Sequence, residues 1–322
     1  VRNCGRGQGR AVVLCGEPGI GKTRLCDELA TLANQVGVGV VWGRCWEGGG
    51  APALWPWTQV LEALKSDGSL APESEDEQDA LSALTTPTSF PGRTALEPFR
   101  LFRGVLALLQ RAAQGRGLVL VLDDLHAADV SSLDLLWFVV RSIRGTSLVV
   151  TATWRTLEAH RREDAAAQLA GITREARTLS LGPLGSAEVA RIAIDAGLAD
   201  DAVRRVVAAG HGNPLFVRES VRMLREDGAS EVPLEIRQLV RQRVLACEPL
   251  TRDVLASASV LSGSFSVAEA ARLGNSTVPA ARQALREAAE AGLVVQHAAR
   301  WAFVHALIRE GLYLDLTEAR RG

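Results

Sequence analysis

Gly16-Glu17-Pro18-Gly19-Ile20-Gly21-Lys22-Thr23 reads G-x-x-x-x-G-K-T. It follows an apolar run, Ala11-Val12-Val13-Leu14-Cys15, and precedes a stretch in which Leu25, Leu29, Leu32 and Val36 recur at helical spacing. Strand, glycine loop and helix in that order predict a loop whose successive N–H groups face one anion, with the positive end of a helix dipole behind them. The candidate binding residues are Gly16, Glu17, Pro18, Gly19, Ile20, Gly21, Lys22, Thr23 and Arg24. Lys22 is placed to reach β- and γ-phosphates, which also makes it a candidate catalytic residue, and Thr23 to ligate Mg2+.

About a hundred residues on, Leu118-Val119-Leu120-Val121-Leu122 is the most continuous apolar run, as a central parallel strand covered on both faces requires. It ends in Asp123-Asp124. Asp123 is expected to hold Mg2+ opposite Thr23, and Asp124 to orient the water that attacks a γ-phosphate. A further strand over 147–153 ends in Thr153-Trp154-Arg155, which sets a cation at the carboxyl edge of the sheet, where it can sense the γ-phosphate. For Asp129, a helix cap and a nucleotide contact stand equally open, and His126 is as evenly balanced.

Strands expected at 11–15, 38–42, 118–122, 147–153 and 177–181 alternate with helices, which predicts an α/β fold with a doubly wound parallel sheet. The segment around 66–94 is acidic and rich in Pro, Ser and Thr, and is expected to be a surface excursion of low order. Strand signals stop near Gly182-Pro183, and helices follow over 186–196, 200–209 and 214–226. His211-Gly212-Asn213-Pro214 reads as the start of the last of these, with proline in its first turn. Beyond residue 232 come three or four short helices, a hairpin through 292–296 and 301–304, and a closing helix from His305, a pattern that suggests a winged helix. A lone histidine at that place reads first as a structural residue.

The chain has 322 residues, 47% hydrophobic and 23% charged, with net charge −1, so it is long enough for two or three domains and has no overall basic field to draw it to nucleic acid or acidic lipid. No apolar run approaches the length of a membrane span, so no membrane is expected. The five cysteines show no metal or disulfide spacing and no leader opens the chain; a cytoplasmic setting is expected. Asn275-Ser276-Thr277 is read as a helix-capping turn. With Val1 first and Met223 the one methionine, a piece of a longer protein is expected. No G-x-S-x-G, H-E-x-x-H, EF-hand or H-R-D set is present, which removes hydrolase-elbow, metalloprotease and protein-kinase readings.

In order, GEPGIGKTRL, GRCWEGGGAPALWPW, LVLVLDDLHAAD, LVVTATWR, GHGNPLFVRE and FVHALIREGLY resemble the STAND-type AAA-like P-loop ATPase module. That module occurs in large LuxR-type (MalT-like) transcriptional regulators and in adenylate-cyclase-associated signalling ATPases. The resemblance implies a P-loop domain over 1–182, a helical lid over 183–230 and a winged-helix domain over 231–322. It implies ATP or ADP with Mg2+ as cofactors, with Asp123 and Asp124 as the acid pair and Arg155 as the arginine after the fourth strand. Gly212 and Pro214 would lie against the adenine side, and His305 near the ADP β-phosphate. It further implies a slow ATPase acting as a switch, self-association when ATP is bound, and DNA contact only through an output domain outside this chain. A DNA-binding winged-helix protein with a secondary nucleotide site, or a scaffold that holds nucleotide without hydrolysis, is the alternative. The candidate recognition helix over 278–291 carries Arg282 and Arg286 but also Glu287 and Glu290, which leaves it without basic excess.

Overall fold

In this computed structural model, the residues described are 7–46, 50–85, 98–155, 162–209, 212–225, 234–261, 263–297 and 299–316. The chain divides into two compact units, residues 1–17 with 21–182, and residues 18–20 with 183–322.

The first unit is built on five parallel strands, β1 (Arg10–Gly16), β2 (Gly39–Arg44), β3 (Leu118–Asp123), β4 (Leu148–Arg155) and β5 (Arg177–Ser180). They lie in the order β2-β3-β4-β1-β5. Every residue of β3 is buried, as its unbroken apolar composition requires of a strand with neighbours on both sides and cover on both faces. Because β4 separates β1 from β3, the loops after β1 and β3 leave the same carboxyl edge with a strand's width between them. Register fixes that edge: Gly16 lies opposite Arg155, and Arg44 opposite Asp123.

Helices α1 (Lys22–Gln35), α2 (Trp55–Ser66), α3 (Glu75–Thr85), α4 (Pro98–Ala112), α5 (Val130–Ser142) and α6 (Ala166–Glu175) belong to this unit. Val13, Leu120 and Val150 of the sheet share a core with Trp57, Leu61, Leu108, Leu135 and Ile172 of the helices. Burying a side chain of that size contributes about 1.5–3 kcal/mol. Leu14, Val119 and Val121, alternate with these along the strands, share a second core with Cys26 and Ala33 of α1. The helix expected from this spacing is present, though the spacing does not trace its buried face: Leu29 packs against this core, while Leu25, Leu32 and Val36 are exposed. Small side chains at 26 and 33 fill the contact instead, and they let the helix backbone approach the sheet closely.

The low-order excursion expected around 66–94 contains α3. Its charge is the reason composition misleads: Glu75, Asp76 and Glu77 sit in the first turn, where negative charge suits the helix dipole. Ala80 and Leu81 are buried. Glu77, also buried, accepts two bonds from Arg111 Nη2 of α4, at 2.8 and 3.1 Å, and the backbone N–H of Glu73 at 2.6 Å. Residues 86–94 of the excursion lie outside the described residues.

In the second unit, α7 (Ser186–Asp195), α8 (Asp200–Ala209) and α9 (Pro214–Arg225) enclose Val189, Ala193, Val206, Val217 and Val221. After them come α10 (Leu234–Leu245), α11 (Pro249–Ala258), α12 (Val267–Leu273), α13 (Val278–Glu290), the antiparallel pair β6 (Val294–His297) and β7 (Arg300–Phe303), and α14 (Ala306–Leu314). Val254, Leu255, Phe265, Leu285, Leu293, Trp301 and Ile308 form their core. Phe265 pairs with Trp301 beside the hairpin, each N–H reaching the other's carbonyl at 2.7 Å. Local signals start these helices: Ser266 and Glu269 close a capping box on α12, and Thr277 accepts the Ala280 N–H on α13, so the Asn275-Ser276-Thr277 sequence serves as a turn and cap. Among the described residues no helix is long and apolar enough to cross a membrane.

Candidate functional site

The loop between β1 and α1 carries the first part of the site. Gly21 stands as N-cap of α1 at φ +102°, a left-handed-side conformation that a Cβ would strain, and no side chain caps the helix. The first-turn amides of α1 are therefore left to other acceptors, with no acid in that turn to compete. Lys22 is buried, and its Nζ donates to the carbonyls of Gly16 at 3.1 Å and Glu17 at 3.0 Å, which draws the ammonium back across the loop. Ile20 is buried, whereas Arg24 is exposed and pairs with Glu28 one turn on.

Thr23 and Asp123 are a hundred residues apart in sequence, yet Thr23 Oγ1 donates to Asp123 Oδ2 at 3.0 Å, with Oδ1 at 3.3 Å. A hydroxyl and a carboxylate facing each other are the hard-oxygen donors that Mg2+ takes, so these residues fit that ion. Among the described residues no group of three or more His, Cys, Asp and Glu could hold a metal. A metal held by Thr23 and Asp123 would complete its shell from water and phosphate, as Mg2+ ordinarily does.

Asp123 has a second partner that sequence reasoning missed. Thr153 of β4, fully buried, donates its hydroxyl to Asp123 Oδ1 at 2.5 Å and accepts the Asp124 N–H at 2.9 Å. Alternation along β4 held the signal, because Thr151 and Thr153 are polar residues two apart on one face of a buried strand. Asp124 itself lies at φ +60°, ψ +43°, a region that non-glycine residues enter at a cost and that aspartate tolerates better than most. Its carboxylate is one-third exposed, and His126 Nδ1 stands 3.8 Å from Oδ1. Arg155 is half-buried at the end of β4, opposite Gly16.

Asp129 resolves to a structural role with a long reach. It caps α5 by accepting the Ser132 N–H at 3.0 Å, and it also accepts the Leu54 N–H at 3.1 Å, which holds Leu54 at φ +64°. Arg162 donates to the carbonyls of His126 and Ala128, bracing the turn after the acid pair. Cys45, whose N–H bonds Asp123 O, has its thiol pushed up to about 12 by burial and then by the negative charge of Asp124, Asp129 and Asp123. It remains a neutral thiol beside the acids at neutral pH.

The remaining candidates lie in the second unit. His305 is buried and caps α14, its Nδ1 accepting the Leu307 N–H at 3.1 Å. An accepting Nδ1 leaves the ring proton on Nε2, 2.8 Å from Ser220 Oγ, and Phe216 stacks on the ring at 4.9 Å. Pro214 opens α9. Beside it, Asn213 Nδ2 donates to the carbonyl of Pro18 and Oδ1 accepts the Leu215 N–H, both at 3.1 Å, within the unit that includes residues 18–20. His211 lies outside the described residues.

Residues 1–151 match the family model of the AAA ATPase domain. That part of the chain is similar to AAA ATPase domains. A Walker-type ATPase of Pyrococcus abyssi superposes with a TM-score of 0.53 at 11% identity, covering 94% of this chain and 90% of the other. The ORC2 protein of Aeropyrum pernix, solved in ADPNP–ADP complexes, gives a TM-score of 0.53 at 12% identity and covers 97% and 90%. A Signal Transduction ATPase with Numerous Domains (STAND) protein of Pyrococcus horikoshii, with a tetratricopeptide repeat sensor, gives 0.42 at 15% identity, covering 98% of this chain and 42% of that one. No curated protein matches the chain. The two likenesses above 0.5 bear on the fold, an α/β parallel five-stranded sheet flanked by helices.

Proposed function

We propose that this chain is the nucleotide switch of a larger cytoplasmic signalling protein, binding Mg-ATP and hydrolysing it slowly. The observation that carries the reading is the Thr23–Asp123 contact at 3.0 Å, which joins the end of the glycine loop to the end of β3. The loop amides and Lys22 would bind the phosphates, and Lys22 would exchange the Gly16 and Glu17 carbonyls for phosphate oxygens. Thr23 and Asp123 would hold Mg2+, which when bound neutralises charge on the β- and γ-phosphates. Asp124 would orient the attacking water, for which a partly exposed carboxylate beside the metal-side acid is suited. Arg155, in register with Gly16, would sense the γ-phosphate.

The same reading takes 1–182 as the ATPase domain, 183–230 as a lid and 231–322 as a winged helix. The short helices and the β6–β7 hairpin support the last assignment. Pro214 would meet the adenine side and His305 the ADP β-phosphate, so that loss of the γ-phosphate shifts the domains between two arrangements. Self-association in the ATP state, and DNA contact through an output domain of the LuxR type, complete the proposal. Against direct DNA binding by α13, Arg282 and Arg286 are offset by Glu287 and Glu290 on the same helix, which leaves no basic excess to neutralise phosphate.

Asp124→Asn separates a hydrolysing switch from a scaffold that only holds nucleotide. In single-turnover hydrolysis of ATP the variant should be slower by about 10²–10⁴-fold, the range for a positioned acid–base group, with ADP binding retained. Equal rates for the variant and the unaltered chain would remove Asp124 from the mechanism.

A further inference from the structure

Resting on that nucleotide reading, we propose that Thr153 is a positioning residue that sets both acids of the site through a single hydroxyl. The polarity of its two hydrogen bonds is fixed by chemistry. The Asp124 N–H can only donate, so it takes a lone pair of Thr153 Oγ1, and the one hydroxyl proton goes to Asp123 Oδ1. Thr23 meets the same carboxylate chiefly at Oδ2. Asp123 is thus held from two sides, by a group on the loop helix and a group on the neighbouring strand, and the plane of its carboxylate is determined.

The Asp124 bond does a second task. At φ +60° the backbone of Asp124 is in a sparsely populated region, and such a conformation persists where its surroundings over-determine it. Thr153 anchors the amide of that residue, and so fixes the backbone from which its carboxylate projects. Strand β4 makes this possible because Thr153 comes two residues before Arg155, at the level of the sheet edge where β3 ends. The hydroxyl is fully buried, so water cannot replace it at either partner.

Valine at this position keeps the shape of the side chain and removes the hydroxyl, which takes the Thr153 acceptor from the Asp124 N–H and leaves Oδ1 with the longer 3.3 Å contact to Thr23 alone of these two hydroxyls. Serine keeps the hydroxyl and removes a methyl. In the full 322-residue chain, Thr153→Val should weaken Mg2+ in a titration of the ADP complex by about tenfold, the usual scale for loss of a group that orients a metal ligand. Single-turnover hydrolysis should slow by about a hundredfold. ADP affinity without metal should be unchanged, and Thr153→Ser should recover most of both losses. Mg2+ affinity and turnover at wild-type level in Thr153→Val would overturn the proposal, as would a serine variant no better than the valine one.

A measurement on the unaltered protein guards against a valine variant that fails to fold and against failure of the nucleotide reading. The Thr153 hydroxyl proton should exchange slowly in NMR and show a cross-peak to the Asp124 amide. Fast exchange with no cross-peak would contradict the proposal even in a chain that binds no nucleotide, while a chain that lacks nucleotide affinity but keeps the cross-peak would sink only the functional reading.

Discussion

The carboxyl edge of the five-stranded sheet and the start of α14 both gather polar residues from the motifs, and they use them differently. At the sheet edge Thr23, Asp123 and Thr153 come from three separate segments and meet only because the sheet brings them together. At the start of α14, His305 bonds the N–H two residues on, and its ring is enclosed by Phe216 and Ser220 of α9. The group at the sheet edge stands at the end of the glycine loop, where the chemistry is proposed. Polar groups that close a helix end answer first to stability.

The largest effect that sharpens this contrast is thermodynamic. His305→Ala removes a cap and a stacked ring, together worth about 2 kcal/mol, and should lower the melting temperature by about 4–8 °C. Asparagine at 305 supplies a capping acceptor and should recover about half of the loss. Calorimetric scans of the three proteins decide it; a His305→Ala chain that melts unchanged would remove the stabilising role and leave only the proposed contact with the ADP β-phosphate.

A smaller effect comes from α3 and α4. Burial pushes the Glu77 carboxyl up, but the Arg111 guanidinium and the amides of Glu73 and Ser74 outweigh it and hold the group below its ordinary 4.5. An acid with a depressed folded value contributes stability above its unfolded value and loses it as pH falls through the folded one. The stability gap between the unaltered chain and Glu77→Gln should therefore be fully present at neutral pH and close below about pH 4.5. Thermal melts from pH 7 downward test this, and a gap that stays constant to pH 3 would contradict the assigned cause.

Much of the first unit was legible because its signals are local and physically forced. The loop needs glycine where φ is positive, the parallel strands need unbroken apolar runs, and the acid pair marks the end of β3. What escaped was set by partners far along the chain. Helix α3 looked like solvent-exposed charge because the cation that stabilises Glu77 lies 34 residues away. The leucine spacing marked α1 as a helix but did not show that Cys26 and Ala33 are the residues buried against the sheet. Thr153 drew no notice because threonine is ordinary in strands, and its importance is visible only once β3 lies beside β4. Asp129 could be read as a cap from its place before α5, while its bond to Leu54, 75 residues upstream, could not.

The central claim is that the loop, Lys22 and the Thr23–Asp123 pair bind the phosphates of a nucleotide. Calorimetric titration of ATP with Mg2+ into the unaltered chain and into Lys22→Ala tests it most directly. Saturable binding is predicted for the first and affinity lower by about a hundredfold for the second, the scale of about 3 kcal/mol of charged hydrogen bonding. Equal affinity in the two proteins, both folded, would contradict it.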